Sequence, residues 1–382
     1  MPSKVDRLTI RNFAQIAEAE LTFGDLTVLV GAQGTGKSLA LQWLKVAMDG
    51  RQIVTALHDA GHPTEKSDVL VDLIFGAGMG QAWQSGAEVI FNRKKIAPKT
   101  FGRIGDGKEK VFFIPAHRSM LISDGWAAPF QKLTSDTPVV ARIFSQNLFD
   151  RFSARGEGPL FPIDRVLKSE YRDQINKAVF HDGSVAIEED RQHAKRLRLT
   201  HGEMHLPFMT WTAGQREFTP LLLGLYHLLP PRKLIKQPHI EWVVIEEPEM
   251  GLHPQAVTVV MLLVLDLLWR GYRVALSTHS PHILTAVWMI RRLSENNAGW
   301  QLLCNAFNVA KVQQLQKVAE AALSKDYRVH YLAFDTSGKV HATDISSLDP
   351  GADDDRVAGW GGLTEFSSRF GEAVRMAINE RS

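Results

Sequence analysis

Gly31-Ala32-Gln33-Gly34-Thr35-Gly36-Lys37-Ser38 lies between an apolar run, Leu26 to Val30, and a helix-like stretch, Leu39-Ala-Leu-Gln-Trp-Leu-Lys-Val-Ala-Met48. The eight residues complete a G-x-x-x-x-G-K-S pattern. A strand that ends in glycines and turns into a helix aims successive backbone N–H groups, and the positive end of the helix dipole, at one point where phosphates can sit. In that geometry Lys37 reaches the β- and γ-phosphates of a nucleotide. Ser38, the first helical hydroxyl, is placed to ligate Mg²⁺, which takes oxygen ligands and binds through phosphates plus one or two protein groups. The nucleotide-binding set expected from this loop is Gly31, Gln33, Gly34, Thr35, Gly36, Lys37 and Ser38, extending to Leu39 where the helix begins.

Further along, Trp242-Val-Val-Ile245 is a short apolar run of the buried parallel-strand type, and it ends in Glu246-Glu247-Pro248-Glu249. Open α/β sheets bind ligands at the carboxyl ends of their strands. Neighbouring side chains in a strand point to opposite faces, so the two glutamates are expected to divide the work. Glu246 is assigned to the metal side, and Glu247 to orienting and deprotonating an attacking water. A third run, Val274-Ala-Leu276, leads into Ser277-Thr278-His279-Ser280-Pro281, where His279 could contact a γ-phosphate. Trp211-Thr212-Ala213-Gly214-Gln215-Arg216 precedes a helical stretch from Phe218 to Leu229, and small residues at a helix start make an anion site.

In this order the four pieces resemble the ATP-binding-cassette type of ATPase, in the soluble branch that includes RecF, Rad50, SMC proteins and the OLD-family ATPases. Val5 to Ile16 looks like the opening strand of that branch, Thr212-Ala213-Gly214-Gln215 like its signature, Glu246 to Pro254 like its extended Walker B and D-loop, and His279 like its switch histidine. The resemblance implies an α/β fold, an ABC-type P-loop ATPase head with a mixed sheet and a mostly helical insertion. It implies ATP and Mg²⁺ as cofactors and a head-to-tail ATP sandwich, in which Thr212 and Gly214 act on the nucleotide of another protomer. The catalytic set is then Glu247, His279 and Lys37. Two departures from the pattern, Glu246 for an aspartate and Ala213 for a glycine, keep the needed chemistry and size. The family's Q-loop glutamine has no clear counterpart. Val111 to Ile114 runs into Pro115-Ala116-His117-Arg118-Ser119, where Arg118 is read either as a phosphate or subunit contact or as a surface arginine. Arg11, Asn12 and Phe13 are positional candidates for contact with adenine.

Domain boundaries follow the motifs: 1–120 as the lobe with the phosphate loop, 121–183 as the insertion, and 184–382 as the remainder of the same ATPase domain. The segment of about 175 residues between the phosphate loop and the signature is neither heptad-patterned nor long enough for two arms of an extended coiled coil, which argues against SMC or Rad50 arms. Residues 184 to 210 alternate as a hairpin would, Val329 to Phe334 and Lys339 to Thr343 suggest another, and a terminal helix begins near Glu365.

Composition narrows the class of function. Forty-four Lys and Arg against forty-two Asp and Glu leave a net charge of +2, so no global attraction to nucleic acid is implied. The single cysteine, Cys304, excludes an intramolecular disulfide and, with the absence of a signal-like start, is read as cytoplasmic. Val257 to Trp269 is the most apolar stretch, yet it is shorter than a bilayer span and contains Asp266, so no membrane association is expected. Two basic stretches, Arg93 to Lys110 and Arg191 to Arg198, could track a nucleic-acid backbone, but neither interleaves aromatic residues for stacking, so they read better as solvated loops. OLD-family nuclease carboxylates are not apparent, and Asp353-Asp354-Asp355 reads as an acidic loop.

Expected partners are a second copy of the chain, joined in an ATP-dependent dimer or larger homo-oligomer, and a separate effector protein. The stand-alone size and paired glutamates resemble ATPases of bacterial antiphage defence systems. A RecF-like clamp on DNA is the alternative, with a non-hydrolysing nucleotide-gated module third and a transporter ATPase last.

Overall fold

A computed structural model of the chain describes residues 5–83, 86–163, 166–190, 193–229 and 235–379. The first six strands are β1 (Asp6–Phe13), β2 (Ile16–Phe23), β3 (Leu26–Gly31), β4 (Glu88–Phe91), β5 (Lys94–Ile96) and β6 (Val111–Ile114). Short strands β7 (Ile122–Ser123) and β8 (Trp126–Ala127) pair with each other. Next, β9 (Gly158–Phe161), β10 (Ser184–Glu189), β11 (Lys195–His201) and β12 (Met204–Pro207) build a small antiparallel sheet. The last four, β13 (Trp242–Glu246), β14 (Arg273–Thr278), β15 (Tyr327–Phe334) and β16 (Val340–Asp344), join the first six. Among the described residues the main sheet has the order β5-β4-β1-β2-β16-β15-β3-β14-β13-β6. The architecture is α/β with a mixed sheet.

Every residue of β3 is buried, because β14 and β15 flank it in parallel and helices cover both faces. A strand so enclosed has no solvent side, hence the unbroken apolar run in the sequence. β6, β13, β14 and β3 lie side by side and parallel, so the loops that follow them emerge at one edge of the sheet. That register gathers the phosphate loop, Pro115 to Ser119, Glu246–Glu249 and the His279 turn, which are far apart in sequence.

The helix after the phosphate loop runs from Lys37 to Asp59, well beyond Met48, with a kink at Asp49. The Asp49 carboxylate accepts from the Lys45 ammonium at 2.8 Å and from the Lys110 and Val111 amides at 2.9 Å each, and Lys45 also meets Glu109 at 2.8 Å. These bonds, the Lys45–Asp49 pair among them fully enclosed, tie the helix to the entry of β6 at the kink. On the same face, the Trp43 ring packs on Phe13, Phe75 and Phe101. The opposite face is covered by the helices Ala213–Leu228 and Pro254–Trp269.

Between residues 121 and 183 the helices Val139–Ala154 and Ser169–Ile175 and a π-turn over Asn176–Phe180 outweigh the strands. β9 nevertheless pairs with β10, so the small sheet spans the boundary read at 183. Asp266 is buried in its apolar helix, where Lys168, Arg270 and the Tyr171 hydroxyl meet its carboxylate. No helix among the described residues is long and apolar enough to cross a membrane. The terminal helix, Glu365–Asn379, leaves residues 369–378 exposed.

Candidate functional site

At the end of β3 the chain turns sharply: Gly31 takes a φ of 146°, and a Cβ there would be driven into the Leu332 carbonyl of β15. Only glycine fits that position. The Thr35 hydroxyl, wholly buried, donates to the Ala32 carbonyl at 2.8 Å and braces the loop from within. Lys37 is 5% exposed, and its ammonium donates to the Gly31 and Ala32 carbonyls at 2.9 Å each. Burial lowers its pKa to about 8, partly offset by the negative charges of Glu247 and Glu249. An arriving anion would therefore be met by a cation held over the loop. Gln33 and Gly34 are exposed, Gly36 ends the turn at a φ of 86°, and Ser38 begins the helix. The Leu39 side chain is half-buried and packs against the core.

Of the three adenine candidates, the structure encloses Phe13 and leaves Arg11 and Asn12 at the surface. Phe13 is fully buried against Trp43, and Arg11 is held by Glu18 at 2.9 Å and Glu88 at 3.3 Å. Asn12 donates to the Gly86 carbonyl at 3.2 Å. The β1–β2 turn instead sends Gln15 to the phosphate loop, where its amide donates to Gly34 O at 2.7 Å. No motif or periodicity marks Gln15 in the sequence.

Glu246 closes β13 with 4% exposure. Burial raises its pKa, while a hydrogen bond from the Ala116 amide, 3.0 Å from Oε2, and the Ser38 hydroxyl favour its charged form. Its other oxygen, Oε1, is buried and has no partner among the described residues. A buried carboxylate with an unmet lone pair beside a hydroxyl is a donor set suited to Mg²⁺, since an unpaired buried oxygen is costly unless a cation or donor meets it. Ser38 and Glu246 are the residues that would hold the ion.

Glu247 does not continue the strand. It sits at a φ of 40°, left-handed for a non-glycine residue, with its N–H on the Ser277 carbonyl at 3.0 Å. The two glutamates are thus separated by a break in the backbone rather than by the strand alternation expected from sequence. Such strain persists only where neighbours over-determine it. Glu247 Oε1 lies 3.6 Å from His279 Nε2, and the side chains are 31% and 30% exposed. Water can reach both.

Glu249, to which the sequence reading attached no role, holds the His279 turn. Its Oε1 accepts from the Thr278 hydroxyl at 2.6 Å and from the His279 amide at 2.7 Å, and the Thr278 oxygen accepts from the Ser280 amide at 2.9 Å. Arg118 is likewise neither a surface arginine nor open to a phosphate. It is fully buried, and its guanidinium donates to the carbonyls of Pro115, Glu217, Glu246 and Glu247 at 2.9–3.2 Å.

Thr212 caps the Ala213–Leu228 helix. Its hydroxyl accepts from the Gln215 amide at 3.3 Å, while Gln215 Oε1 accepts from Thr212 N–H at 3.2 Å, a reciprocal capping box. Gly214 approaches Gly251 so closely that a Cβ would lie 2.8 Å from the Gly251 carbonyl. A cleft of about 370 Å³ opens here, lined by Thr212, Gly214, His181, Gly251 and His253. Among the described residues no hydrogen bond joins residues 212–215 to the phosphate loop of the same chain.

Of the basic residues, Lys95 pairs with Glu88 at 3.1 Å, and Arg196 lies 3.7 Å from Asp190. Arg191 falls outside the described residues. Asp354 caps a short helix and pairs with Arg356 at 2.7 Å.

Residues 205–285 match the family model described as AAA domain, putative AbiEii toxin, Type IV TA system. The matched span includes Thr212, Glu246 to Glu249 and His279, and the phosphate loop precedes it. No curated protein matches the chain. Among solved structures, the SMC head domain from Thermotoga maritima is 11% identical with a TM-score of 0.39, covering 89% of this chain and 98% of that one. An SMC head bound to the C-terminal winged-helix domain of ScpA is 10% identical with a TM-score of 0.44, covering 89% and 97%. An SMC head with an extended coiled coil, bound to the C-terminal domain of ScpA derived from Pyrococcus furiosus, is 9% identical with a TM-score of 0.41, covering 89% and 96%.

Proposed function

We propose that this chain is an ATP-hydrolysing P-loop protein of the ABC type that uses ATP binding to join two protomers and hydrolysis to release them. The observation that carries the reading is the pairing of Glu247 with His279, 3.6 Å apart and water-accessible, at the sheet edge that also carries Lys37. ATP hydrolysis needs little covalent help from a protein; positioning and charge stabilisation do most of it. The loop amides from Gly34 to Ser38 and the Lys37 ammonium hold the triphosphate, Lys37 exchanging its two carbonyl partners for phosphate oxygens. Glu247 orients a water for in-line attack and takes its proton. His279 reads the γ-phosphate, and Glu249 holds the turn that presents it. Mg²⁺ bound by Ser38 and Glu246 would neutralise charge on the β- and γ-oxygens.

The signature acts in trans. Thr212 and the helix start at Ala213 and Gly214 are exposed or half-buried and unbonded to their own phosphate loop, so a second copy's nucleotide can complete the site. Residues 121–183 serve as an accessory lobe between the phosphate loop and the signature. In this reading the chain is the sensor or scaffold ATPase of a bacterial antiphage defence system, cytoplasmic, with a separate effector protein. A DNA-repair clamp is the second reading. Lys94, Lys99, Arg103 and Lys108 favour it, being without ion-pair partners among the described residues.

Light scattering after size exclusion, together with phosphate release, tests the mechanism on wild type and Glu247→Gln with and without Mg-ATP. The variant is expected to bind ATP, hydrolyse little and remain in the larger assembly. Normal hydrolysis by the variant would remove Glu247 from its role. Salt-dependent DNA binding that tightens with ATP would favour the clamp over the scaffold.

A further inference from the structure

We propose that Arg118 is a positioning residue that couples the signature helix, Ala213–Leu228, to the two glutamates at the end of β13. The inference rests on the assignment of Glu246 and Glu247 given above and adds a residue that assignment did not contain.

The guanidinium joins three pieces of chain. Nη1 donates to Pro115 O at 3.1 Å and Glu246 O at 2.9 Å, Nη2 to Glu247 O at 3.2 Å, and Nε to Glu217 O at 3.1 Å. Glu217 belongs to the second turn of the signature helix, and its carboxylate is held as well: Oε1 accepts from the Ser119 hydroxyl, and Oε2 lies 3.8 Å from Arg118 Nε. Among the described side-chain hydrogen bonds, those of Arg118 are the ones that join this helix to the Glu246 and Glu247 peptides. A planar fork with five donors can serve four carbonyls in fixed directions; a lysine ammonium, with three donors on a flexible stem, cannot.

The consequence concerns Glu247. Its left-handed backbone is pinned on one side by its own N–H to Ser277 O at 3.0 Å and on the other by Arg118. Thr212 to Gly214 form the start of the helix that carries Glu217. Any displacement when a second protomer's nucleotide engages that helix start is delivered along a rigid helix to Glu217, and through Arg118 to the peptide that aims Glu247. Arg118 therefore makes the placement of the water-activating carboxylate depend on whether the signature is engaged.

The test compares wild type, Arg118→Lys, Glu217→Gln and the double variant, each as the full chain. Readouts are kcat and KM for Mg-ATP, affinity for a fluorescent ATP analogue, and thermal melting. Coupling predicts that Arg118→Lys lowers kcat about tenfold or more while analogue affinity changes less than about threefold. Glu217→Gln lowers kcat in the same sense, and the double variant loses less than the product of the single effects. An unchanged kcat in Arg118→Lys overturns the proposal. So does a parallel fall of kcat, affinity and melting temperature, which would mark a residue that only supports the fold. If Arg118→Lys does not fold, Glu217→Gln decides alone, and a wild-type kcat there overturns the idea. Glu247→Gln run alongside separates the two levels: normal hydrolysis by that variant refutes the assignment of Glu247 whatever Arg118 does.

Discussion

Removing the Glu249 carboxylate should uncouple the His279 turn from the segment after β13 that carries Glu247. One oxygen of Glu249 accepts two short bonds, 2.6 Å from the Thr278 hydroxyl and 2.7 Å from the His279 amide. Bonds to a charged acceptor contribute about 1.5–3 kcal/mol each. Glu249→Ala forfeits both but also removes a buried Oε2 that has no partner, a relief of about 1–2 kcal/mol. The net destabilisation is therefore about 1–5 kcal/mol, concentrated in the turn. His279 sits 3.6 Å from Glu247, so a turn loosened by even ~1 Å spoils the approach, and misplacement on that scale costs up to about 10²-fold in rate. Glu249→Ala is expected to lower kcat about 10- to 100-fold with little change in KM, because the phosphate loop is untouched. Glu249→Gln keeps an acceptor without its charge and should fall between the two. Steady-state phosphate release and thermal melting measure both effects. A wild-type kcat in Glu249→Ala, with the expected loss of melting temperature, would refute the argument that this carboxylate positions His279.

Other consequences can be checked separately. Gly214→Val forces side-chain atoms against the Gly251 carbonyl, which a Cβ would already approach to 2.8 Å, so the helix start must move at a cost of about 1–3 kcal/mol. ATP-dependent assembly by light scattering should be lost in that variant while analogue binding to the phosphate loop is retained. Asp266→Ala strands the Lys168 and Arg270 cations around a buried site and should cost about 3–5 kcal/mol in denaturant melts, without a change in analogue affinity at temperatures where the variant is folded. His227 has its pKa lowered to about 4, first by burial and then by the adjacent Arg151. The unfolded chain, near 6.5, then binds the proton more readily than the folded one, so this stabilisation is present above pH 6.5 and is lost as pH falls toward 4. The loss totals about 3 kcal/mol, and His227→Gln should flatten that part of the stability–pH curve.

The site divides along a physical line. The phosphate loop, the glutamate pair and the His279 turn could each be found in the sequence because each is a local event, a buried strand ending in residues of defined chemistry. Glu249 was visible within its motif, but its bond to a turn thirty positions away carried no local signal. The alternation argument for Glu246 and Glu247 missed the backbone break, because Glu247's conformation is set by Ser277 and Arg118 and not by its own strand. Arg118 was misplaced in both of its readings, since hydrophilicity says nothing about a cation that four distant carbonyls can satisfy inside the protein.

By itself, then, the amino-acid sequence determined the chemistry available: glycines that let backbone amides converge, a lysine and serine at a helix start, carboxylates and a histidine at strand ends. Those follow from propensity and spacing within a few residues. The tertiary structure decided which of these groups meet. Parallel pairing of β6, β13, β14 and β3 set the four loops at one edge, and burial fixed which carboxylate lacks a partner and which arginine is enclosed. Such outcomes depend on contacts between residues distant in the chain, whose free energy is settled only when the whole sheet has formed.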